Sequence, residues 1–318
     1  MKRDRTIDTL RGLAMFAMMV IHACSYYLKD KTTLFIWDNL QWAVPVFVFC
    51  SFYLFFGRKD KFSASDWLPY LKKRLTKLLT PYYYFLAVFF PLLFFFEKNK
   101  FNLKYFFANV FLYKGLDFNW LVLLFLYLTF IMPLVLIIKK NKVLFYGFFI
   151  ISFISSIYFI FKPINYRAIM WLPWTAYIYF TIFFLKNKTK AKVLLLTGSL
   201  SLIVFIYLRI IETNIGHNLT QFTNKYPPTL YHLSFGIFWI IILYWLSEKN
   251  VFNFLKSDRF FNFLSINSYS LYFIHIIVMF MISWLGILPP VWPLFFLEII
   301  SISLLIQMGL NKLENLIS

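Results

Sequence analysis

The chain has 318 residues, 61% of them hydrophobic and only 14% charged, with 43 Phe and a mean hydropathy of +0.70. A soluble globule of this length has too little interior to hide that much apolar surface, which excludes the water-soluble classes. A net charge of +19 suggests nucleic acid, but the cations are scattered over short segments between apolar runs, and that excludes such a partner.

The runs reach the 18 or more residues needed to cross a hydrocarbon core of roughly 30 Å. Ten spans are expected, at 8–28, 38–57, 79–96, 119–138, 143–161, 169–185, 192–211, 228–246, 264–286 and 290–310. The fold class is therefore all-α, a polytopic membrane bundle forming one domain over 1–318, with no fused extracytoplasmic domain expected. The shorter, mixed stretch 101–113 is placed at the interface or as a partly re-entrant segment.

The first span is too long for a cleaved leader, and "SYYLKD" follows it where a small-residue cleavage site would stand. It carries Arg11 at its start and His22 deep inside. A central charge in lipid costs roughly 2.5–3.5 kcal/mol on insertion scales. Eleven helical residues turn about 1100° and rise about 16 Å, so Arg11 and His22 share a face about half a bilayer apart. Asp8 precedes Arg11 by three and shares that face, where it can pair with it. Met15 and Met18 lie between. Arg11 reads either as a snorkelling anchor or as a ligand for phosphate or carboxylate. His22 reads either as a satisfied core histidine or as a proton acceptor.

Cys24 and Cys50 lie in separate spans and form no metal or disulfide framework. The inner loop 58–77 holds seven cations and two acids. Within it Lys73, Arg74 and Lys77 are candidates for the phosphates of a nucleotide-bearing donor, against the plainer reading of positive-inside charge touching anionic lipid. Trp120, Trp171 and Trp174 fit interfacial aromatic belts. "GSLSL" (198–202) lacks nucleophile-elbow spacing. Arg209 and Glu212 are expected as an interfacial ion pair, with His217 and His232 as rim residues. In the ninth span His275 follows Tyr272 and Tyr269 at helical spacing, with Asn267 and Ser268 nearer its start; a second acid/base is possible, and a structural hydrogen-bonding role is favoured. Glu298, placed at the centre of the last span, is expected to be protonated, paired or in a wet cavity, where it could orient His22 or His275. No cluster has metal-ligand spacing.

With the N-terminus inside, 21 of the 32 Lys and Arg fall in inner segments and 10 in outer ones, Arg11 being the last. This excess follows the positive-inside rule and puts both termini in the cytoplasm.

"IDTLRGLAMFAMMVIH" resembles the opening of the acyltransferase-3 family, membrane enzymes that acylate cell-surface glycans; its first helix carries an Arg, ten residues and a His, as Arg11 and His22 do. "PVFVFCSFYLFF" (45–56) is similar to the family's second span, although Ser51-Phe52-Tyr53-Leu54 lacks the usual Gly. "YLKKRLTKLLTPYYY" (70–84) is similar to its basic loop, with Lys77 where a second Arg is usual; Lys offers a point charge and loses bidentate recognition. "NWLVLLFLYLTFIMPLV" (119–135) and "INSYSLYFIHIIV" (266–278) match later spans. The resemblance implies a membrane O-acyltransferase that takes acetyl from cytoplasmic acetyl-coenzyme A as donor substrate, with no permanently bound cofactor. Arg74, Lys77 and Lys73, with Arg11, would hold the phosphates; His22 would take a proton from a sugar hydroxyl. Asp8, Glu298, His275, Tyr272 and Trp120 would support them. The acceptor implied is a cell-surface or lipid-linked glycan, the other partner membrane lipid, and the location the plasma membrane. The rivals are a transmembrane N-acetyltransferase, whose Asp-x-x-Arg-Gly opening is similar, and a glycan flippase with His22 as coupling site. Carriers show paired broken helices, and no matched Gly or Pro interruptions stand out in the sequence.

Overall fold

The computed structural model describes residues 4–58, 62–161, 166–252 and 257–317. Lys59 and Lys61 of the basic loop lie outside the described residues. Fifteen α-helices are described: α1 (Arg5–Cys24), α2 (Lys31–Asn39), α3 (Ala43–Phe56), α4 (Ala64–Phe96), α5 (Leu103–Val110), α6 (Trp120–Ile138), α7 (Lys142–Phe161), α8 (Tyr166–Ile169), α9 (Trp171–Trp174), α10 (Ala176–Asn187), α11 (Ala191–Asn214), α12 (Leu230–Glu248), α13 (Ser257–Ile266), α14 (Ser268–Trp284) and α15 (Trp292–Ile317). No strand occurs among the described residues.

Nine helices or helix runs among these residues are long and apolar enough to cross a membrane. The ninth expected span, 264–286, is instead a broken one. Arg259–Ile266 and Ser268–Trp284 meet at 85°, with Asn267 at the corner. The basic stretch differs as well. From Ala64 onward it is helix, continuous with the next span as α4, so Lys72, Lys73, Arg74 and Lys77 stand on a helix. Asp66 reaches back to Ser63 at the start of that helix, one arm of a capping box. The Ser63 amide and hydroxyl both donate to Asp66 Oδ2, at 3.0 and 2.8 Å. Asp4 caps α1 through the amides of Thr6 and Ile7. Asp30 caps α2 through Thr33, whose hydroxyl and amide hold its carboxyl below the usual range.

The backbone packs as two compact units: Met1–Val44, Pro81–Phe106 and Leu246–Ser318 form the first, and Pro45–Thr80 with Phe107–Trp245 the second. In the first, α1 is two-thirds buried, against α13, α14 and α15. Gly12 makes its closest approach possible. A Cβ there would sit 2.1 Å from the Phe261 carbonyl oxygen, so only glycine lets α13 lie this near.

In the second unit a buried arginine organises the connections. Arg167 donates to the carbonyls of Leu112 (3.4 Å) and Leu116 (3.2 Å) and to Asn119 Oδ1. Asn109 Oδ1 accepts from the Leu116 amide and from Asn119 Nδ2. Together they hold a tight turn in which Leu112 is left-handed (φ 60°). Trp120 is buried beside it, 4.7 Å from the Tyr226 ring and 5.5 Å from Lys225 Nζ.

Several aromatic and charged side chains lie deeper than expected. Trp120 and Trp174 are buried and form no lipid-facing belt. Glu212 is fully buried and meets Asn224 Nδ2 (3.2 Å) and His217 Nδ1 (3.4 Å). Its expected partner Arg209 reaches the Tyr231 hydroxyl at 3.5 Å instead. His232 is no rim residue; it is fully buried, with Nδ1 3.0 Å from Gln221 Oε1. Glu212 and His232 each find an internal partner for one polar atom, which offsets part of the cost of leaving water.

Candidate active site

His22 sits near the end of α1 and is half-buried. His275 is fully buried in α14. The first unit brings them together: His22 Nδ1 lies 2.7 Å from His275 Nε2, and the rings are nearly parallel, 5.0 Å apart. The other nitrogen of His275, Nδ1, is 2.7 Å from the Leu271 carbonyl. A carbonyl only accepts, so Nδ1 of His275 carries the proton and its Nε2 offers a lone pair. His22 Nδ1–H must then donate, which leaves the lone pair of His22 on Nε2. Proton uptake there turns the His22–His275 bond into a charge-assisted one. The arrangement has the logic of a base held in one tautomer by an orienting partner. It is a proton acceptor with a built-in orientation.

Tyr272 is buried and faces both imidazoles, its ring 6.3 Å from His22 and 5.8 Å from His275. Of the expected supporting residues, His275 and Tyr272 thus lie beside His22. Glu298 does not join them. It is the seventh residue of α15, on the exposed face, so it is off-centre in the last span and makes no bond to either histidine.

Arg11 lies at the other end of the α1 face. Its Nε donates to the Ser265 carbonyl at 3.1 Å and its Nη2 donates to the same oxygen. Asp8 Oδ1 accepts from Ser265 Oγ at 3.1 Å. Asp8 and Arg11 therefore both bind Ser265, beside the corner at Asn267. Sequence reasoning missed Ser265; the polar run "SINS" inside an apolar span was the available signal.

In the second unit, Arg74 Nη2 donates to Ser51 Oγ at 2.6 Å. Two stretches singled out separately by sequence thus meet in one contact. The Tyr70 ring lies one helical turn before Arg74 and packs on Phe55 and Phe62. Arg74 is half-buried, whereas Lys73 and Lys77 are exposed. Trp120 stays with Tyr226 and Lys225. Among the described residues no group of three His, Cys, Asp or Glu could hold a metal ion.

A family model described as an acyltransferase domain matches residues 4–308 of the chain. Neither the curated proteins nor the solved structures yield a match.

Proposed function

The chain belongs to the acyltransferase-3 family, and from that membership we propose that it moves an acetyl group from acetyl-coenzyme A to a hydroxyl of a cell-surface or lipid-linked glycan. The observation that carries the reading is the 2.7 Å His22–His275 bond. It supplies a general base with a fixed tautomer, as acyl transfer to an alcohol requires. His22 Nε2 takes the proton of the sugar hydroxyl as its oxygen attacks the thioester carbonyl. The carbon–sulfur bond then breaks, coenzyme A leaves as thiolate, and the proton on His22 returns to that sulfur. On protonation the positive charge on His22 is steadied by His275 Nε2, backed in turn by the Leu271 carbonyl.

The donor phosphates are assigned to Arg74, with Ser51 fixing its guanidinium, and to the exposed ammonium groups of Lys73 and Lys77 as screening charge. The asymmetry of Lys and Arg supports a cytoplasmic face for this basic stretch, and the glycan acceptor proposed goes with a plasma-membrane setting. Purified protein given acetyl-coenzyme A and surface glycan should release coenzyme A thiol only when both are present. The glycan should gain one acyl group's mass.

A second reading has one observation in its favour. Broken helices are characteristic of carriers, and the α13–α14 corner is one. A glycan flippase that uses His22 as a coupling proton site would move glycan without consuming thioester. The same assay separates the two.

A further inference from the structure

We propose that Arg11 is a positioning residue. It clamps the corner of the broken span and so sets the register that brings His275 to His22. This rests on the acyltransferase reading only for its kinetic consequence. The clamp itself stands on geometry.

A break inside a membrane span exposes orphan carbonyls at the end of one helix and orphan amides at the start of the next. At the α13 end the Ser265 carbonyl takes both Nε and Nη2 of Arg11. The Phe263 carbonyl takes the Asn267 amide (3.1 Å) and Asn267 Nδ2 (2.9 Å). A guanidinium at a helix C-terminus also opposes the negative end of its dipole. Ser265 Oγ bonds Asp8 at 3.1 Å, and Gly12 admits the α13 backbone at contact distance. Asp8, Arg11 and Gly12, within five consecutive residues of α1, all address the last turns of α13.

Two helices leave this anchored corner. Along α1 the rise from Arg11 to His22 is about 16 Å, and along α14 the rise from Asn267 to His275 is about 12 Å. The 2.7 Å imidazole bond closes the far side of the figure. A hydrogen bond tolerates only a few tenths of an ångström, so the far contact depends on a fixed near one. Arg11 never needs to touch a substrate to matter. This differs from a phosphate-binding Arg11, for which the donor affinity should suffer.

The test uses the full chain in nanodiscs, in a Cys24/Cys50-free background. Spin labels go at Asn262 on α13 and Leu285 just after α14, both exposed. Arg11→Lys keeps the charge and loses the fork. Asp8→Asn is the second variant, should Arg11→Lys fail to fold. The clamp predicts a broadened inter-label distance distribution, a kcat lower by about 100-fold, the scale of an ångström-sized misplacement, and a donor KM unchanged within about twofold. Asp8→Asn should give the same pattern at smaller amplitude. A donor KM raised tenfold with a narrow, unshifted distribution would make Arg11 a phosphate ligand and overturn the proposal; wild-type kcat and distribution in both variants would overturn it too. If the parent protein transfers no acyl group while Arg11→Lys still broadens the distribution, the functional reading fails and the clamp stands.

Discussion

Replacing His275 with Phe keeps the ring volume and removes both nitrogens, which makes it the sharpest probe of the histidine pair. His22 Nδ1–H then loses the acceptor it meets at 2.7 Å. A neutral hydrogen bond contributes about 1 kcal/mol net and one to a charged group about 1.5–3. Transfer converts the first kind into the second, so the transition state loses about 0.5–2 kcal/mol more than the ground state, or about 2–30-fold in kcat. Freedom of the His22 ring adds to this and takes the expected loss toward 100-fold. Coenzyme A release by purified protein, at saturating donor and acceptor, measures it. Because the two residues act as a unit, His22→Ala with His275→Phe should be no slower than His22→Ala alone. A folded His275→Phe protein with kcat within about twofold of the parent would refute the reasoning, since His22 would then need no partner.

Other expectations follow from single contacts. Gly12→Ala puts a Cβ 2.1 Å from the Phe261 carbonyl oxygen, and such overpacking costs about 1–3 kcal/mol; a thermal-shift assay should show a lower Tm. Arg74→Ala should raise the apparent KM for acetyl-coenzyme A while the acceptor KM holds; Ser51→Ala, which removes only the 2.6 Å partner, should do so more weakly. An unchanged donor titration in both would return the basic stretch to topology alone. Sidedness can be read with an impermeant thiol reagent in a Cys24/Cys50-free background: Cys at the exposed Lys29 should label in intact cells, and Cys at the exposed Arg58 only after the membrane is opened. The reverse pattern would put the basic stretch on the wrong side for a cytoplasmic donor.

The spans were legible because long apolar runs leave a helix few alternatives in lipid. The break at Asn267 was not, because neither Gly nor Pro marks it and the groups that bond beside it, Arg11 and Asp8, lie more than 250 residues earlier. The start of α4 reads as loop because its cations and Pro69 disguise a capped helix. Arg11 and His22 were visible as one face by helical arithmetic. Their roles were not, because the decisive partners Ser265 and His275 are distant in sequence. Trp120 and Trp174 read as interfacial belt residues because composition cannot tell a bundle-facing indole from an interfacial one. Position in an apolar run puts Glu298 at mid-span, whereas the orientation of α15 decides what it meets.

The broken span also bears on how the protein is made. The clamp joins residues 254 apart in sequence, and the histidine bond joins residues 253 apart. During synthesis α1 enters the bilayer with a guanidinium and an imidazole whose eventual partners do not yet exist. The last third of the chain brings them. Until α13 packs on α1 the Asn267 corner lacks its clamp, and an unbroken or displaced helix there satisfies its own backbone better. The first helix therefore acts as a template for one of the last, and assembly of the first unit has to wait for nearly the whole chain.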